Sequence, residues 1–318
     1  MQSQVGSRAV GWPVGVPVGI QLSGLVHDRL ELSALPGLVA DLEQAGADDV
    51  VYGEHLAYAG TMTHPSGKLL GRTDRTSAVS DVLVLFAAIA ARTQRIRLCT
   101  SIVLGALHEP FLFAKQTASV DRLSEGRLVL GVGAGWSRVD FAAVGVPFEE
   151  RFARMEETVE ACRRLWTTAP ASFEGRWHHF ADVVSEPAPW RADGPPVWWG
   201  GKSTPVTARR VAERGDGWIV SEAATLADVR DGVAAIRAAC RRIGRDAATV
   251  GVRATVKPDP DAPVAGSASE MAAQIARRAT ELAEAGVSHV TVALADWRAT
   301  IDGPLDAAGL VAALRGGA

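Results

Sequence analysis

Glu54 and His55 stand side by side directly after an apolar, strand-like run, DDVVYG (Asp48–Gly53). A carboxylate beside an imidazole can orient a hydrogen bond or pass a proton near neutral pH. At the C-terminal end of a strand in an α/β barrel, such a pair faces the catalytic side. A plain surface pair at a loop start is the alternative. A second stretch, RLVLGVGAGW (Arg127–Trp136), places Gly131, Gly133 and Gly135 at alternate positions after Leu128-Val129-Leu130. Glycines at the exit of a buried strand let another backbone or a flat ligand come close. The dinucleotide fingerprint G-x-G-x-x-G fails here, because its third glycine falls at Trp136 and no acidic residue closes a second strand about 20 residues on. A third stretch, Gly200-Gly201-Lys202-Ser203-Thr204, joins a strand to a helix. Pro205 suits the first helical position, with Thr204 or Ser203 as N-cap. Helix-terminal N–H groups and the Lys202 charge favour an anion there, so the loop reads as a phosphate site, with an ordinary capped helix as the alternative. It is not a Walker A loop, whose first glycine would fall at Pro196.

Other candidates fail on spacing. His178 and His179 sit in an expected hairpin and point to opposite faces, so they do not share a metal ion. His108-Glu109 continues into Pro110-Phe111-Leu112, which is not a zinc helix pattern. Ser66-Gly67-Lys68 lacks the flanking glycine of a phosphate loop, and no G-x-S-x-G elbow occurs. Among the nine tryptophans, Trp136 and Trp199 adjoin glycine loops at strand ends and can wall a planar ligand.

These residues need a scaffold, and the chain supplies alternating strands and helices. The strands are expected at Val16–Leu22, Asp48–Gly53, Arg95–Leu104, Arg127–Gly133, Pro196–Gly201, Gly217–Ser221, Val250–Val256 and His289–Leu294. Between them lie amphipathic segments with apolar residues three and four apart, such as LPGLVADLEQAG, TPVTARRVAERG and ASEMAAQIARRATELAEAG. Gly46, Gly215, Gly244 and Gly286 are expected to end helices. Alternation of this kind implies a parallel sheet, and eight units close a (β/α)8 barrel; an open doubly wound sheet is the second arrangement. Two stretches interrupt the alternation. Tyr58–Arg75 is a candidate substrate loop, and Ser172–Gly194 reads as a hairpin plus a proline-rich loop.

At 318 residues and 47% hydrophobic, the chain has the length of one large barrel, typically about 250 residues plus insertions. Residues 1–14 read as a flexible extension and 15–318 as one domain. A net charge of −3 argues against nucleic acid or an acidic membrane as partner. Three scattered cysteines, Cys99, Cys162 and Cys240, form neither a disulfide framework nor a zinc cluster, which fits a reducing cytoplasm. No signal peptide and no membrane-spanning run are expected.

Taken in order, the segments resemble the bacterial luciferase-like flavin- and deazaflavin-dependent oxidoreductases, from about Val18 to Val311. The resemblance is densest over TSIVL, over HEPFLFAKQTASVDRLSEGRLVLGVGAGWSRVDFAAVGVPFEERFARMEETVEACRRLW, and over PPVWWGGKSTPVTARRVAERGDGWIV. It implies a (β/α)8 barrel with insertions. It implies that Thr100-Ser101 forms a non-proline cis peptide beneath the cofactor ring, and that Glu54-His55 lies near the ring. Gly133, Gly135 and Trp136 then match the fourth-strand turn at the cofactor. Gly200, Gly201, Lys202 and Ser203 match its phosphate site, and His55 becomes the catalytic candidate. The cofactor implied is coenzyme F420, a hydride carrier, with FMN and a partner reductase as the alternative for a monooxygenase. A non-catalytic member of the fold is a third possibility. Sugar-phosphate dehydrogenases of the F420 branch carry an acid where this chain has Trp136, and a lysine where it has Ser221-Glu222-Ala223-Ala224. A non-sugar-phosphate, aromatic or lipophilic substrate is therefore expected. A homodimer is also expected, with a flavin or F420 reductase as a possible partner.

Overall fold

The computed structural model describes residues 11–23, 31–60, 62, 80–259, 265, 267–297 and 306–316. Eight parallel strands close into a barrel: β1 (Val18–Gln21), β2 (Asp49–Tyr52), β3 (Arg97–Thr100), β5 (Leu128–Gly133), β8 (Val197–Gly201), β9 (Gly217–Val220), β10 (Gly251–Val256) and β11 (His289–Ala293). The ring runs β1-β2-β3-β5-β8-β9-β10-β11 and returns to β1 through the pairs Val18↔Val290 to Gln21↔Ala293. Closure, not an open sheet, is the arrangement adopted. It leaves no ring strand with an unpaired edge.

Helices follow the strands: α1 (Leu35–Gln44), α2 (Val82–Ala90), α3 (Pro110–Leu123), α4 (Arg138–Ala143), α5 (Arg151–Thr167), α6 (Pro205–Arg214), α7 (Leu226–Arg242), α8 (Ala268–Glu284), α9 (Leu294–Trp297) and α10 (Ala307–Leu314). Their starts are written in the sequence. Glu109 and Thr204 cap α3 and α6 by accepting from the amides of Leu112 and Thr207, and each cap is followed by proline. Thr225 and Asp228 form a reciprocal capping box on α7. Such caps satisfy helix N–H groups that have no partner within the helix. Of the four glycines expected to end helices, Gly46, Gly244 and Gly286 have left-handed φ of 100°, 71° and 95°. Gly215 is the exception, with φ −119°. It is glycine because a Cβ there would run into the Trp199 indole.

Two expectations need correction. The third strand is not continuous over Arg95–Leu104. It stops at Thr100 and resumes as a two-residue strand β4 (Val103–Leu104) against β5. The non-proline cis peptide lies between these pieces at Ser101–Ile102, one bond later than expected at Thr100–Ser101. Thr100 belongs to β3: its hydroxyl donates to the Gly131 carbonyl at 2.7 Å, and it is fully buried. The hairpin is present as β6 (Ala171–Glu174) against β7 (His179–Val183). In it, His178 meets Thr158 at 3.3 Å, while His179 turns out to Glu174 at 3.0 Å. Of the candidate substrate loop Tyr58–Arg75, only residues 58–60 and 62 are described. Met1–Val10 of the expected extension and Ser66-Gly67-Lys68 also lie outside the described residues.

The main core lies between strands and helices, and a smaller one fills the barrel itself: Val51, Cys99, Val129, Trp198 and Ile219, with Ile102 packed on top. Trp198 fills the barrel's lower part because Gly217 and Gly251 on the neighbouring strands leave room; a Cβ on either would enter its indole. Higher up, a Cβ on Gly131 would collide with the Thr100 carbonyl oxygen and with Cδ1 of Ile219. Gly→Ala changes usually stabilise by about 0.4–1 kcal/mol where the backbone allows it. Gly131→Ala is expected to reverse that sign and cost about 1–3 kcal/mol, because one of the colliding atoms is backbone. Chemical denaturation checks this; an unchanged midpoint would show that β5 can shift freely.

Candidate active site

Four strand exits converge on the C-terminal face of the barrel. Behind β2, the chain passes Gly53 and reaches Glu54 and His55. Gly53 is required because a Cβ would lie 2.7 Å from the Ser101 carbonyl oxygen. Two backbone bonds tie this exit to the cis segment: the Ser101 amide donates to the Tyr52 carbonyl at 2.7 Å, and the Glu54 amide to the Ile102 carbonyl at 3.0 Å.

Glu54 and His55 are neighbours in sequence but not partners in space. The Glu54 carboxylate is buried; it accepts from the Leu104 amide at 2.7 Å and meets Nε2 of His108 at 3.0 Å. His108 in turn stacks on Phe113, with ring centroids 4.2 Å apart. Glu54 thus ties the β2 exit to the segment after β4. His55 turns the other way. Its Nδ1 lies 2.9 Å from a carboxylate oxygen of Asp140, on α4. The other Asp140 oxygen accepts from the amides of Leu56 and Ala57 at 2.7 and 2.9 Å. Asp140 is 1% exposed. Burial alone would raise its pKa, but the hydrogen bond from His55 and those from the two amides outweigh it and hold the carboxyl below the usual range. The His55 ring keeps 21% of its surface exposed. It sits between the rings of Tyr58 and Trp136, at 5.2 and 5.5 Å between centroids.

The glycines of β5 and β8 serve the cis segment first. A Cβ on Gly133 would lie 2.7 Å from Cδ1 of Ile102, and one on Gly200 would lie 2.8 Å from its Cγ2. Ile102 therefore forms the floor of the barrel mouth, filling the space that those glycines leave. Gly135 has φ +72°, and a Cβ there would press on Leu104 and Phe141, so this glycine makes the turn into Trp136 and α4.

Behind β8 the arrangement differs. Gly201 has φ +154°, and a Cβ on it would meet nothing closer than Thr207 Oγ1 at 3.8 Å. Its carbonyl accepts from the Trp218 indole at 3.0 Å. Lys202 is exposed, Ser203 half-buried, and Thr204 starts α6. An open glycine, a lysine and the start of a helix make a donor set suited to a phosphate group.

Among the described residues, no group of three His, Cys, Asp or Glu side chains could hold a metal ion. No helix among them is long and apolar enough to cross a membrane. A cavity of about 120 Å3 lies nearby, between the exits of β9 and β10 and helices α7 and α8, lined by Ser221, Thr225, Val256 and Lys257 among others. It is separate from the His55 site.

The family model for luciferase-like monooxygenases matches residues 14–313. This chain belongs to that family. It is 32% identical over 172 residues to an FMNH2-dependent dimethylsulfone monooxygenase of Pseudomonas putida, covering 53% of this chain and 46% of that one. It is 33% identical over 136 residues to an F420-dependent glucose-6-phosphate dehydrogenase of Amycolatopsis mediterranei, covering 42% and 40%. Both matches span less than half the length of those relatives. A crystal structure of the monooxygenase RslO1 from Streptomyces bottropensis shares the fold with a TM-score of 0.72, at 22% identity over 94% of this chain and 97% of that one. Luciferase-like relatives thus include both F420-dependent and FMNH2-dependent oxidoreductases.

Proposed function

We propose that this chain is an F420-dependent oxidoreductase acting on an uncharged, aromatic or lipophilic substrate. The observation that carries it is the His55–Asp140 pair at the exit of β2, an imidazole held by a buried carboxylate and partly open to solvent. Hydride chemistry on an organic group needs a place to put or take a proton, and this pair supplies one. The residues present fit the cofactor. Gly200, Gly201, Lys202 and Ser203 would hold a phosphate group, with Gly201 leaving its face clear. Ile102, His55 and Trp136 would surround the ring. When bound, the deazaflavin accepts or gives hydride. His55 would hold the proton exchanged with the substrate, Trp136 and Tyr58 would wall the site from water, and Asp140 would keep the imidazole in place. The walls next to His55 are aromatic, which supports a substrate without a phosphate.

A second reading has a relative behind it: the match to an FMNH2-dependent monooxygenase supports FMN with a partner reductase. Equilibrium binding separates the two. The protein is dialysed to equilibrium against oxidised F420 or, without oxygen, against reduced FMN, and the cofactor held in the protein compartment is read by absorbance. F420 should be held there and reduced FMN should not. Retention of reduced FMN alone would overturn the proposal in favour of the monooxygenase, and retention of neither would favour a non-catalytic member of the fold.

The phosphate assignment has its own test. Lys202→Glu places a negative charge where an anion should sit. The dissociation constant for F420 should rise at least about tenfold, the equivalent of roughly 1.4 kcal/mol. An unchanged constant would remove Lys202 from the phosphate site.

A further inference from the structure

If His55 handles a proton, some neighbouring group must fix the tautomer of its imidazole. The adjacent Glu54 cannot, because it is spent on Leu104 and His108. We infer that Asp140 is the positioning residue of the site, holding His55 with its proton on Nδ1 so that Nε2 is the atom offered to the substrate. This inference rests on the proposed function for its catalytic meaning, but not for its geometry.

Three observations carry it. First, Asp140 is committed on both oxygens: one faces Nδ1, and the other accepts from the amides of Leu56 and Ala57. A carboxylate that accepts from two amides on one oxygen is fixed in plane, so its second oxygen has a set direction. Second, Asp140 stays ionised, since its pKa is held below the usual carboxylate range despite burial. An ionised carboxylate only accepts, so the neutral imidazole must place its N–H at Nδ1. Third, no hydrogen-bond partner for Nε2 occurs among the described residues, while the ring stays partly exposed between Tyr58 and Trp136.

The proton balance follows. With an alcohol as substrate, a bound deazaflavin would take the hydride from carbon, and Nε2 of His55 would take the hydroxyl proton, leaving a carbonyl and an imidazolium paired with the Asp140 carboxylate. In the reverse direction the imidazolium returns that proton to the carbonyl oxygen. Asp140 itself gains and loses no proton. The arrangement also links two exits of the barrel: α4, following the β5 glycine turn, sets the orientation of a group behind β2.

The test compares wild type with Asp140→Asn, using protein labelled with 15N in histidine and measured without cofactor at neutral pH. His55 resonances are assigned as those lost in His55→Asn. Wild type should show Nδ1–H and a bare Nε2. An asparagine at 140 can no longer accept on both sides, because its amide group meets either Nδ1 or the Leu56 and Ala57 amides. Asp140→Asn should therefore move His55 wholly or partly to the Nε2–H tautomer. In the F420-coupled assay its turnover should fall about 100-fold or more, while F420 binding changes less than about tenfold. In serine proteases the same Asp-to-Asn change leaves the catalytic imidazole in the wrong tautomer and costs about 10⁴-fold in turnover. Asp140→Glu, which keeps the charge, should retain the Nδ1–H tautomer. An Nε2–H signal in wild type overturns the inference even if neither variant folds. So does an unchanged tautomer in a folded Asp140→Asn. Failure of F420 binding in wild type would sink the cofactor reading and leave the tautomer result standing.

Discussion

Replacing His55 by asparagine should lower turnover about 100-fold or more at saturating substrate and F420, while F420 affinity changes by less than about tenfold. Loss of one general acid–base group typically costs about 10²–10⁴-fold in rate. Asparagine keeps a hydrogen-bond donor in reach of Asp140 but cannot take or give the proton. The imidazole touches two rings, Tyr58 and Trp136, so a packing role is the competing explanation. A packing role predicts weaker cofactor or substrate binding with turnover preserved at saturation. Steady-state kinetics that separate kcat from KM distinguish the two, alongside direct titration of F420. Full turnover in the variant would take His55 out of the mechanism. Because Asp140→Asn leaves the imidazole in place but moves its proton to the other nitrogen, the two variants should fail alike in kcat, and together they should cost little more than either alone.

The barrel is legible in the sequence because its signals are periodic and local. Apolar runs end in glycine, helices open on capping residues such as Thr204 and Thr225 that are followed by proline or an acid, and the alternation repeats often enough to close a ring. The hairpin at β6–β7 reads the same way. The site is legible only residue by residue. His55 is visible because it follows a strand directly, but its partner is not. Asp140 lies 85 residues away on a six-residue helix, and nothing in SRVDF marks that its one acid will turn inward to His55. The adjacent Glu54 is the natural partner on sequence and is bound elsewhere, since successive residues leaving a strand point to opposite sides. Ile102 escapes notice for a similar reason. The segment TSIVL reads as a continuous strand, and only the ring's geometry shows that the peptide before Ile102 is cis and that Gly133 and Gly200 are small to admit its side chain. In sequence the glycines read as room for a ligand; at those two positions the room is taken by this chain's own isoleucine, and at Gly201 it is open.

Below the site, the barrel contains charge that the sequence pattern does not suggest. Asp49, at the start of β2 and fully buried, meets Nη2 of Arg253 at 2.7 Å and Nη2 of Arg97 at 3.0 Å. Arg253 is 2% exposed, reaches Thr291 Oγ1 at 3.2 Å and Cys99 Sγ at 3.3 Å, and lies 5.6 Å from the Trp198 ring centroid. Its Nε has no hydrogen-bond partner among the described residues. Burial raises the Cys99 thiol to about 12 and lowers His289 to about 4, with Arg253 helping to push His289 down. Burial opposes ionisation of Asp49 too, but Arg253 and then Arg97 outweigh it and hold the carboxyl below its usual range. Arg97 can turn toward solvent if the carboxylate is lost; Arg253 cannot. Asp49→Asn should therefore strand a buried guanidinium and destabilise the fold by about 3–5 kcal/mol, the cost of breaking a buried pair from one side. The sign with pH is fixed by the depressed folded pKa. The stability Asp49 contributes is fully present above its unfolded value near 3.8 and is lost as pH falls through the lower folded value. The variant should lack that acid-dependent component. Adding Arg253→Met should restore most of the lost stability, because replacing both partners removes the stranded charge. Urea denaturation of the wild type, both single variants and the double variant measures the coupling. Additive single effects would show that Asp49 and Arg253 act independently, and that the barrel floor rests on Trp198 packing alone.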